Sequence, residues 1–146
     1  MKLALYQPEI ARNVGATIRV CACFAAELHV IEPCGFPWKQ REIARVALDY
    51  RAEVIRHRDW AAFRAAVDGR LLLMTTRGDV AHSDFSFSDR DILLLGQESQ
   101  GVPDRLHHEV DARLRIPLAP GARSLNVSVA GAVGLAEAAR QLHFFH

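Results

Sequence analysis

Short apolar segments alternate with helical patterns along nearly the whole chain, and this alternation restricts the fold more than any other feature. Periodicity and flanking turn residues predict strands at 3–6, 28–31, 53–56, 71–75, 92–95 and 114–116. Helices are predicted at 13–26, 40–48, 59–67 and 126–143, with Asn13, Asp59 and Asn126 at their starts and an irregular connection at 78–89. The pattern indicates an α/β fold, a parallel sheet with helices on both faces.

Length and charge indicate one domain without a global attraction to a charged partner. The 146 residues, half of them hydrophobic, suit a single core. The formal net charge of +1 means that contact with nucleic acid needs a local basic surface. The amino terminus reaches Pro8, Glu9 and Arg12 before a signal-peptide core is possible, and no apolar run is long enough for a membrane span. We therefore expect a cytoplasmic protein with no membrane partner.

Cysteines and histidines give no sign of a disulfide framework or a metal site. Cys21, Cys23 and Cys34 are odd in number and contain no C-x-x-C pair, which fits a reducing compartment. No histidine cluster has metal spacing, and surface or helix-end positions are expected for His107, His108, His143 and His146. We expect no bound metal.

Two of the predicted strands run directly into loops rich in Gly, Pro, Ser and Gln. Gly96 and Gly101 bracket the first loop, and the second passes two prolines before Ser124 and Asn126. In an open parallel sheet the ligand crevice lies at the carboxyl ends of the strands, and glycine lets a backbone approach closely. The loops are thus the predicted functional site, with two ordinary strand-to-helix turns as the alternative.

The first strand-to-helix turn excludes a classical dinucleotide site. It reads QPEIARNVGATIR and lacks the G-x-G-x-x-G pattern. Asn13 is expected at the mouth of the helix, and four-residue spacing places Gly15 and Arg19 on one helix face. Such a face can admit another chain or an RNA backbone near the guanidinium. A helix cap, a packing glycine and a solvated arginine are the alternative.

These motifs resemble, in order and spacing, those of the SPOUT RNA 2′-O-methyltransferases. They are the trio Asn13, Gly15 and Arg19, then LLLGQESQGVP at 93–103 and RIPLAPGARSLNVSVA at 115–130. PEI at 8–10, IEPCGFPW at 31–38, LDY at 48–50 and TTRG at 75–78 make the chain similar to the TrmL (YibK-like) branch, which acts on the tRNA wobble nucleotide. The resemblance implies a single domain over 1–146, a carboxyl-terminal trefoil knot, S-adenosyl-L-methionine held by the knot loops, and a homodimer.

The resemblance also implies roles for individual residues. The implied cofactor-binding residues are Met74, Gly96, Gly101, Ile116, Ser124 and Leu125. The implied catalytic residues are Arg19, Asn13, Glu98 and Asn126. Glu98 can orient a ribose hydroxyl or a partner side chain, or favour the sulfonium electrostatically. Ser124 and Asn126 stand where free N–H groups of a helix suit the cofactor or a phosphate, with simple capping as the alternative.

The implied reaction transfers a methyl group from S-adenosylmethionine to the ribose 2′-hydroxyl of nucleotide 34 of tRNA, a cytidine or a modified uridine. The alternatives are the same reaction at another tRNA position or on rRNA, and a noncatalytic RNA-binding factor. Arginine stays charged under nearly all conditions, so stabilisation of the developing alkoxide is favoured for Arg19 over a literal general base. A neutral Arg19 held by desolvation is the other reading.

Three positions depart from the pattern of the relatives, and two groups of residues allow more than one role. Gln97 and Gln100 stand where relatives often carry Pro and Arg, and Ala136 stands where a tyrosine is common. Substrate preference within the branch is therefore open.

Base stacking and ordinary packing are both open for the aromatic residues Trp38, Tyr50, Phe85 and Phe87. A subunit seam and packing on the sheet are both open for Gly131 and Gly134.

Overall fold

The computed structural model describes residues 1–145, which form one parallel sheet with helices packed on it. The strands of this part of the chain are β1 Lys2–Tyr6, β2 Glu27–Ile31, β3 Val54–His57, β4 Leu71–Met74, β5 Val80–Ala81, β6 Ile92–Leu95 and β7 Ala112–Arg115. The helices are α1 Ala11–Cys23, α2 Gln40–Ala47, α3 Trp60–Ala66, α4 Asp104–Glu109 and α5 Val127–Gln141. None of these helices has the length and apolar character needed to cross a membrane.

The sheet runs in the order β3-β2-β1-β6-β4-β7-β5, and each strand pairs in parallel with its neighbours. Strands of a parallel sheet are buried on both faces, which explains the uninterrupted apolar sequences of β4 (LLLM) and β6 (ILLL). Alternate side chains enter opposite cores: Leu3 and Leu5 pack with α1 and α5, whereas Ala4 and Tyr6 pack with α3. The α/β prediction is confirmed.

Helix starts test the capping predictions. The Asp59 carboxylate accepts a hydrogen bond from Ala62 N at 2.8 Å, so the predicted cap at Asp59 is confirmed. Asn126 Oδ1 accepts a hydrogen bond from Ser128 N at 2.9 Å, so Asn126 caps α5, which was the alternative given for it. The prediction for Asn13 is wrong because α1 begins at Ala11 and follows Ile10 without a side-chain cap. Asn13 instead lies in the first turn, where its amide is available for contacts with other parts of the chain.

The short elements β5 and α4 were not predicted from the sequence patterns. Residues 80–81, predicted to be irregular, form β5 because they pair with β7 at the edge of the sheet. Helix α4 occupies a stretch for which no element was predicted. Two residues and six residues are too few for a period of two or of 3.6 to be recognised.

The glycines of α5 pack on the sheet. A Cβ at Gly131 would lie 2.9 Å from Leu3 Cδ1, and one at Gly134 would lie 2.9 Å from Leu93 Cδ1. These distances are shorter than a normal van der Waals contact, so a side chain at either position would require a leucine side chain of the sheet to shift or α5 to move away. The structure thus favours sheet packing over a subunit seam for both glycines.

A buried histidine pair joins β2 to β3. His29 Nδ1 lies 2.8 Å from His57 Nε2, and His29 Nε2 lies 3.3 Å from the Glu27 carboxylate. His29 and His57 are only 3% and 6% exposed, and the Phe63 ring makes an edge-to-face contact with each imidazole. Burial is the main cause that lowers the pKa of both histidines, because the interior disfavours the charged imidazolium.

We predict that this pair makes stability depend on pH. Below about pH 6.5 the unfolded chain takes up protons that the folded pair resists, so the free energy of unfolding falls as pH drops through that region. Each resisted proton contributes a slope of at most about 1.4 kcal/mol per pH unit. Urea unfolding at pH 7.5 and 5.5 measures the difference. The difference in free energy of unfolding between the two pH values should be smaller in the double variant His29→Leu, His57→Leu than in the wild type, and unchanged in the exposed control His108→Gln. An equal difference in the wild type and both variants contradicts the prediction.

Candidate functional site

A cleft of about 730 Å³ opens at the carboxyl end of the sheet, between the loops that follow β4, β6 and β7 and the start of α5. This volume lies within the range of small-molecule sites in proteins. The cleft is lined by each of the residues predicted to bind a cofactor, Met74, Gly96, Gly101, Ile116, Ser124 and Leu125, and also by Asn13, Glu98 and Asn126. These loops meet because β6, β4 and β7 are neighbours in the sheet.

The first loop of the site is a closed turn. Gln97 N donates to Gly101 O at 2.8 Å, and Gly101 N donates to Gln97 O at 3.0 Å. Gly101 has φ +67°, and a Cβ at Gly96 would lie 2.5 Å from the carbonyl carbon of Gly101. Both glycines are therefore required by the loop itself: one supplies a left-handed backbone, and the other lets the two ends of the turn touch.

A chain of hydrogen bonds connects one residue from each of the three motifs. Asn13 Nδ2 donates to Glu98 Oε1 at 3.0 Å, and Asn126 Nδ2 donates to Asn13 Oδ1 at 3.0 Å. The second Glu98 oxygen accepts from the backbone N–H of Glu9 at 2.9 Å. Asn126 keeps its capping bond to Ser128 at the same time. The network fixes the loop at 96–101, α1 and the start of α5 relative to one another.

A second contact holds the same loop from outside, and sequence reasoning missed it. The Glu9 carboxylate accepts hydrogen bonds from Ser99 N at 3.0 Å and from Ser99 Oγ at 2.7 Å. The Ser99 backbone bond is the largest cause that lowers the pKa of Glu9. Finding this pair from sequence would have required knowing that β1 and β6 are adjacent, since that places the ends of the two strands side by side.

A basic group at the edge of the cleft was also missed. Arg77 Nη2 lies 2.8 Å from His107 Nε2 and 3.3 Å from Asp104 Oδ1. Burial, and then the charge of Arg77, lower the pKa of His107, which favours a neutral ring that accepts from the guanidinium. Surface or helix-end positions were expected for these histidines, and His107 and His108 both lie in the last turn of α4. His107 is buried there beside Leu106, whereas His108 is exposed; His146 lies outside the described residues. Residues 1–145 contain no group of three or more side chains suited to hold a metal.

Arg19 is not brought to this cleft. It is exposed on α1, and its guanidinium carbon lies 4.9 Å from the centre of the Tyr50 ring. Gly15, one turn earlier, faces α2, where a Cβ would lie 2.6 Å from Val46 Cβ. Gly15 thus has the packing role that was the alternative in the sequence analysis. Within one chain, Arg19 is separated from the network of Asn13, Glu98 and Asn126.

The aromatic side chains considered for base stacking all have partners within the chain. Phe85 and Phe87 meet edge to face with ring centres 5.3 Å apart. Trp38 lies under Arg56, with the guanidinium carbon 4.3 Å from its ring. Together with the contact between Tyr50 and Arg19, these arrangements favour packing in the free protein.

A model of the SpoU rRNA Methylase family matches residues 1–136. The chain belongs to this SpoU methylase family. It is 51% identical, over 97% of its own length and 92% of the relative's, to a protein of Ancylobacter novellus named tRNA (cytidine(34)-2′-O)-methyltransferase. The resemblance to RNA 2′-O-methyltransferases is confirmed.

Two solved structures of SpoU relatives add to this comparison. A structure described as "Structural insights into the 2-OH methylation of C/U34 on tRNA" has a TM-score of 0.93 and 36% identity, covering 97% of this chain and 95% of that one. An AdoMet-bound rRNA methyltransferase from Sinorhizobium meliloti has a TM-score of 0.82 and 25% identity, covering 99% of this chain and 57% of the longer relative. The fold is thus shared with methyltransferases of different RNAs.

The close approach of Gly96 to Gly101 gives a prediction for this SpoU protein. Gly96→Val should open the turn, because the new side chain needs the space that the Gly101 backbone occupies. Hydrogen exchange at the Gly101 amide should accelerate on the order of tenfold, as expected for one lost hydrogen bond, while the amides of β4 keep their protection. Gly101→Ala separates the two roles: its Cβ meets no atom within 4 Å, so it tests the positive φ alone, which is unfavourable for alanine by about 1–2 kcal/mol. Unchanged exchange at Gly101 in Gly96→Val would show that the turn does not depend on this contact.

Proposed function

We propose that this chain is an S-adenosylmethionine-dependent enzyme that methylates the ribose 2′-hydroxyl of nucleotide 34, the wobble position, of tRNA. The network of Asn13, Glu98 and Asn126 beside a cleft of cofactor size carries the proposal. The Ancylobacter novellus relative, which is named for this reaction, matches the chain over 92% of the relative's length. A cytoplasmic location, and a reaction without a metal, belong to the same proposal.

The lining of the cleft fits S-adenosylmethionine. Apolar side chains of Met74, Ile116 and Leu125 offer a surface for the adenine and for the carbons beside the sulfonium, and the turn between Gly96 and Gly101 offers backbone groups without Cβ atoms above them. Ser124 lies in the neighbouring loop, which is neither helix nor strand. When bound, the cofactor supplies an electrophilic methyl group on a sulfonium. We assign these residues to its binding.

The network next to the cleft is assigned a positioning role in catalysis. Glu98 uses both oxygens on donors from the β1–α1 region, Asn13 Nδ2 and Glu9 N, which supports the reading in which it orients a partner side chain. Asn13 in turn holds Asn126 at the start of α5, where helix N–H groups favour negative charge. The three side chains thus keep the two cofactor loops in register with α1.

Arg19 is assigned to the ribose hydroxyl. Apart from its contact with the Tyr50 ring, its guanidinium has no hydrogen bond or ion pair within residues 1–145, so its five N–H donors are available to RNA. As the 2′-oxygen loses its proton to a phosphate or to water, the guanidinium stabilises the developing alkoxide, as an oxyanion hole does. Transfer also requires that the hydroxyl oxygen face the methyl carbon from the side away from the sulfur.

Labelled methyl transfer tests this assignment. The wild type should bind S-adenosylmethionine in calorimetry and label bulk tRNA, and mapping should place the label at nucleotide 34. Gly96→Val should lose cofactor binding, because its loop is opened. Arg19→Lys should bind the cofactor normally and lose most of the turnover, about 100-fold, since an ammonium does not reproduce the planar fork.

Each part of the assignment has its own failing outcome. Label in rRNA alone, or at another tRNA nucleotide, would reassign the substrate. If the wild type binds S-adenosylmethionine but labels no RNA, the protein is a noncatalytic binding factor. A near-normal rate for Arg19→Lys would remove Arg19 from the reaction.

The cleft lacks Arg19, and a homodimer supplies it. We propose that the cofactor loops of one protomer face Arg19 of its partner, so that each site is shared. Ile10, Leu125 and Val129 are 47%, 38% and 46% exposed near the starts of α1 and α5, an apolar surface that suits a subunit contact. An isologous pairing places this surface against itself and forms two equivalent sites.

The trefoil knot is likewise part of the proposal. After β4 the chain crosses β7, where Thr75 N donates to Leu114 O at 2.8 Å and Asp79 N donates to Arg113 O at 3.0 Å. It returns past the end of α5, where the Gln141 amide donates to Phe85 O at 2.9 Å. A connection that crosses both β7 and α5 supports threading of the carboxyl-terminal segment through it.

Mixed dimers test the shared site. Differentially tagged chains carrying Arg19→Ala and Gly96→Val should each keep only a small residual activity alone, whereas a mixed dimer keeps one complete site. With random pairing about half of the dimers are mixed, so activity should recover to about a quarter of the wild type. Both variants must first be shown to be folded and dimeric. Purified mixed dimers no more active than the parental variants would place each site within one chain.

A further inference from the structure

The side of the Arg19 guanidinium is covered by one aromatic ring. The guanidinium carbon lies 4.9 Å from the centre of the Tyr50 ring, and within residues 1–145 the side chain makes no hydrogen bond or ion pair. Tyr50 is 41% exposed and lies just beyond α2. The pair is therefore at the surface, where a large ligand has access to it.

Packing between α1 and α2 fixes the position of this ring. Gly15 permits the approach, because its missing Cβ would lie 2.8 Å from Ile43 O. Ile43 and Ala47 are 0% and 2% exposed and anchor α2 to the core, and Tyr50 N donates to Ala47 O at 3.2 Å. The ring thus reaches Arg19 from a helix end that is itself held against α1.

We propose that Tyr50 is a positioning residue that holds the Arg19 guanidinium for methyl transfer. The inference rests on the proposed function. A carboxylate would also hold an arginine, but it would occupy the N–H donors and neutralise the charge that an alkoxide needs. An aromatic face attracts the cation from the side and leaves the donors at the edge of the guanidinium free. Tyr50 thereby restricts the motion of a long side chain without competing with the RNA.

A direct role of Tyr50 in stacking on an RNA base makes different predictions. A stacking residue contributes to RNA affinity whether or not Arg19 is present, and its loss raises the KM for tRNA. A positioning residue acts through Arg19, so its loss lowers kcat and has no effect once Arg19 is gone. The two roles are separated by a comparison of kinetic constants in two backgrounds.

The test compares Tyr50→Leu with the matched variant Tyr50→Phe, which keeps the ring. Tyr50→Leu should lower kcat about 3- to 30-fold, the range expected for loss of one cation–π contact, with unchanged KM values for S-adenosylmethionine and tRNA. Tyr50→Phe should stay within about twofold of the wild type. In single-turnover measurements at high enzyme concentration, Tyr50→Leu should cause no further loss in an Arg19→Ala chain. Tyr50→Gln repeats the test should Tyr50→Leu fail to fold.

A spectroscopic measurement follows the contact itself. The side-chain Nε–H resonance of Arg19, identified by its absence from Arg19→Ala, should carry a ring-current shift that Tyr50→Phe keeps and Tyr50→Leu loses. Equal losses of rate in both Arg19 backgrounds, a raised KM for tRNA, or equal effects of the Phe and Leu variants would overturn the positioning role. An active wild type with unaffected Tyr50→Leu defeats this inference alone, whereas a wild type that labels no tRNA defeats the proposed function and the positioning role with it.

Discussion

The hydrogen bond of 3.0 Å between Asn13 and Glu98 is the contact on which the arrangement of the site depends. It joins residues 85 positions apart, and Asn13 is only 7% exposed, so its amide must find partners inside the protein. Glu98 and Asn126 provide them. Because a buried amide left without partners is unfavourable, the first turn of α1, the loop at 96–101 and the start of α5 have a strong energetic reason to keep one relative position.

The sheet makes this contact possible. β1 and β6 are parallel neighbours, so the chain leaves both at the same edge, and the turn before α1 meets the turn after β6. The β6-β4-β7 order then adds the loops after β4 and β7 to the same edge. A cleft formed by distant segments therefore follows from strand order together with the shared direction of the strands, as in other open parallel sheets.

The local sequence patterns do not reveal the order of the strands in the sheet. The strand at Ile92–Leu95 was predicted with correct bounds, because an uninterrupted apolar run between turn residues has few other interpretations. The wrong cap at Asn13 has the opposite cause: its side chain is satisfied by Glu98 and Asn126, and local rules assume a local partner. The pairing of Glu9 with Ser99 was out of reach for the same reason. Most motif residues identified by resemblance line one cleft, although Gly15 and Arg19 do not, and the contacts between them could be found only from the fold.

Arg19 marks the limit of what a single chain explains. Resemblance grouped it with Asn13 and Glu98, whereas α1 carries it away from the cleft and Tyr50, just beyond α2, covers one side of it. Asn13 and Arg19 are six positions apart, and an α-helix advances about 1.5 Å per residue and 100° per step, so they cannot act at one point from one helix. The two side chains leave α1 in directions about 120° apart, which fits the proposal that Asn13 acts within its own protomer and Arg19 toward a partner.

The departures at the first loop show how a different residue can retain the same turn. Gln97, which stands where relatives often carry proline, donates its backbone N–H to Gly101 O at 2.8 Å, a bond that proline cannot make. Its side chain also reaches Gln7 Oε1 at 3.4 Å, a long contact with the turn after β1. Proline stiffens a turn by fixing φ, whereas Gln97 closes it by a hydrogen bond and leaves more conformational entropy to be lost on folding. With Gln97 in this position, Gly96 and Gly101 still approach closely, and the turn still lines the open cleft.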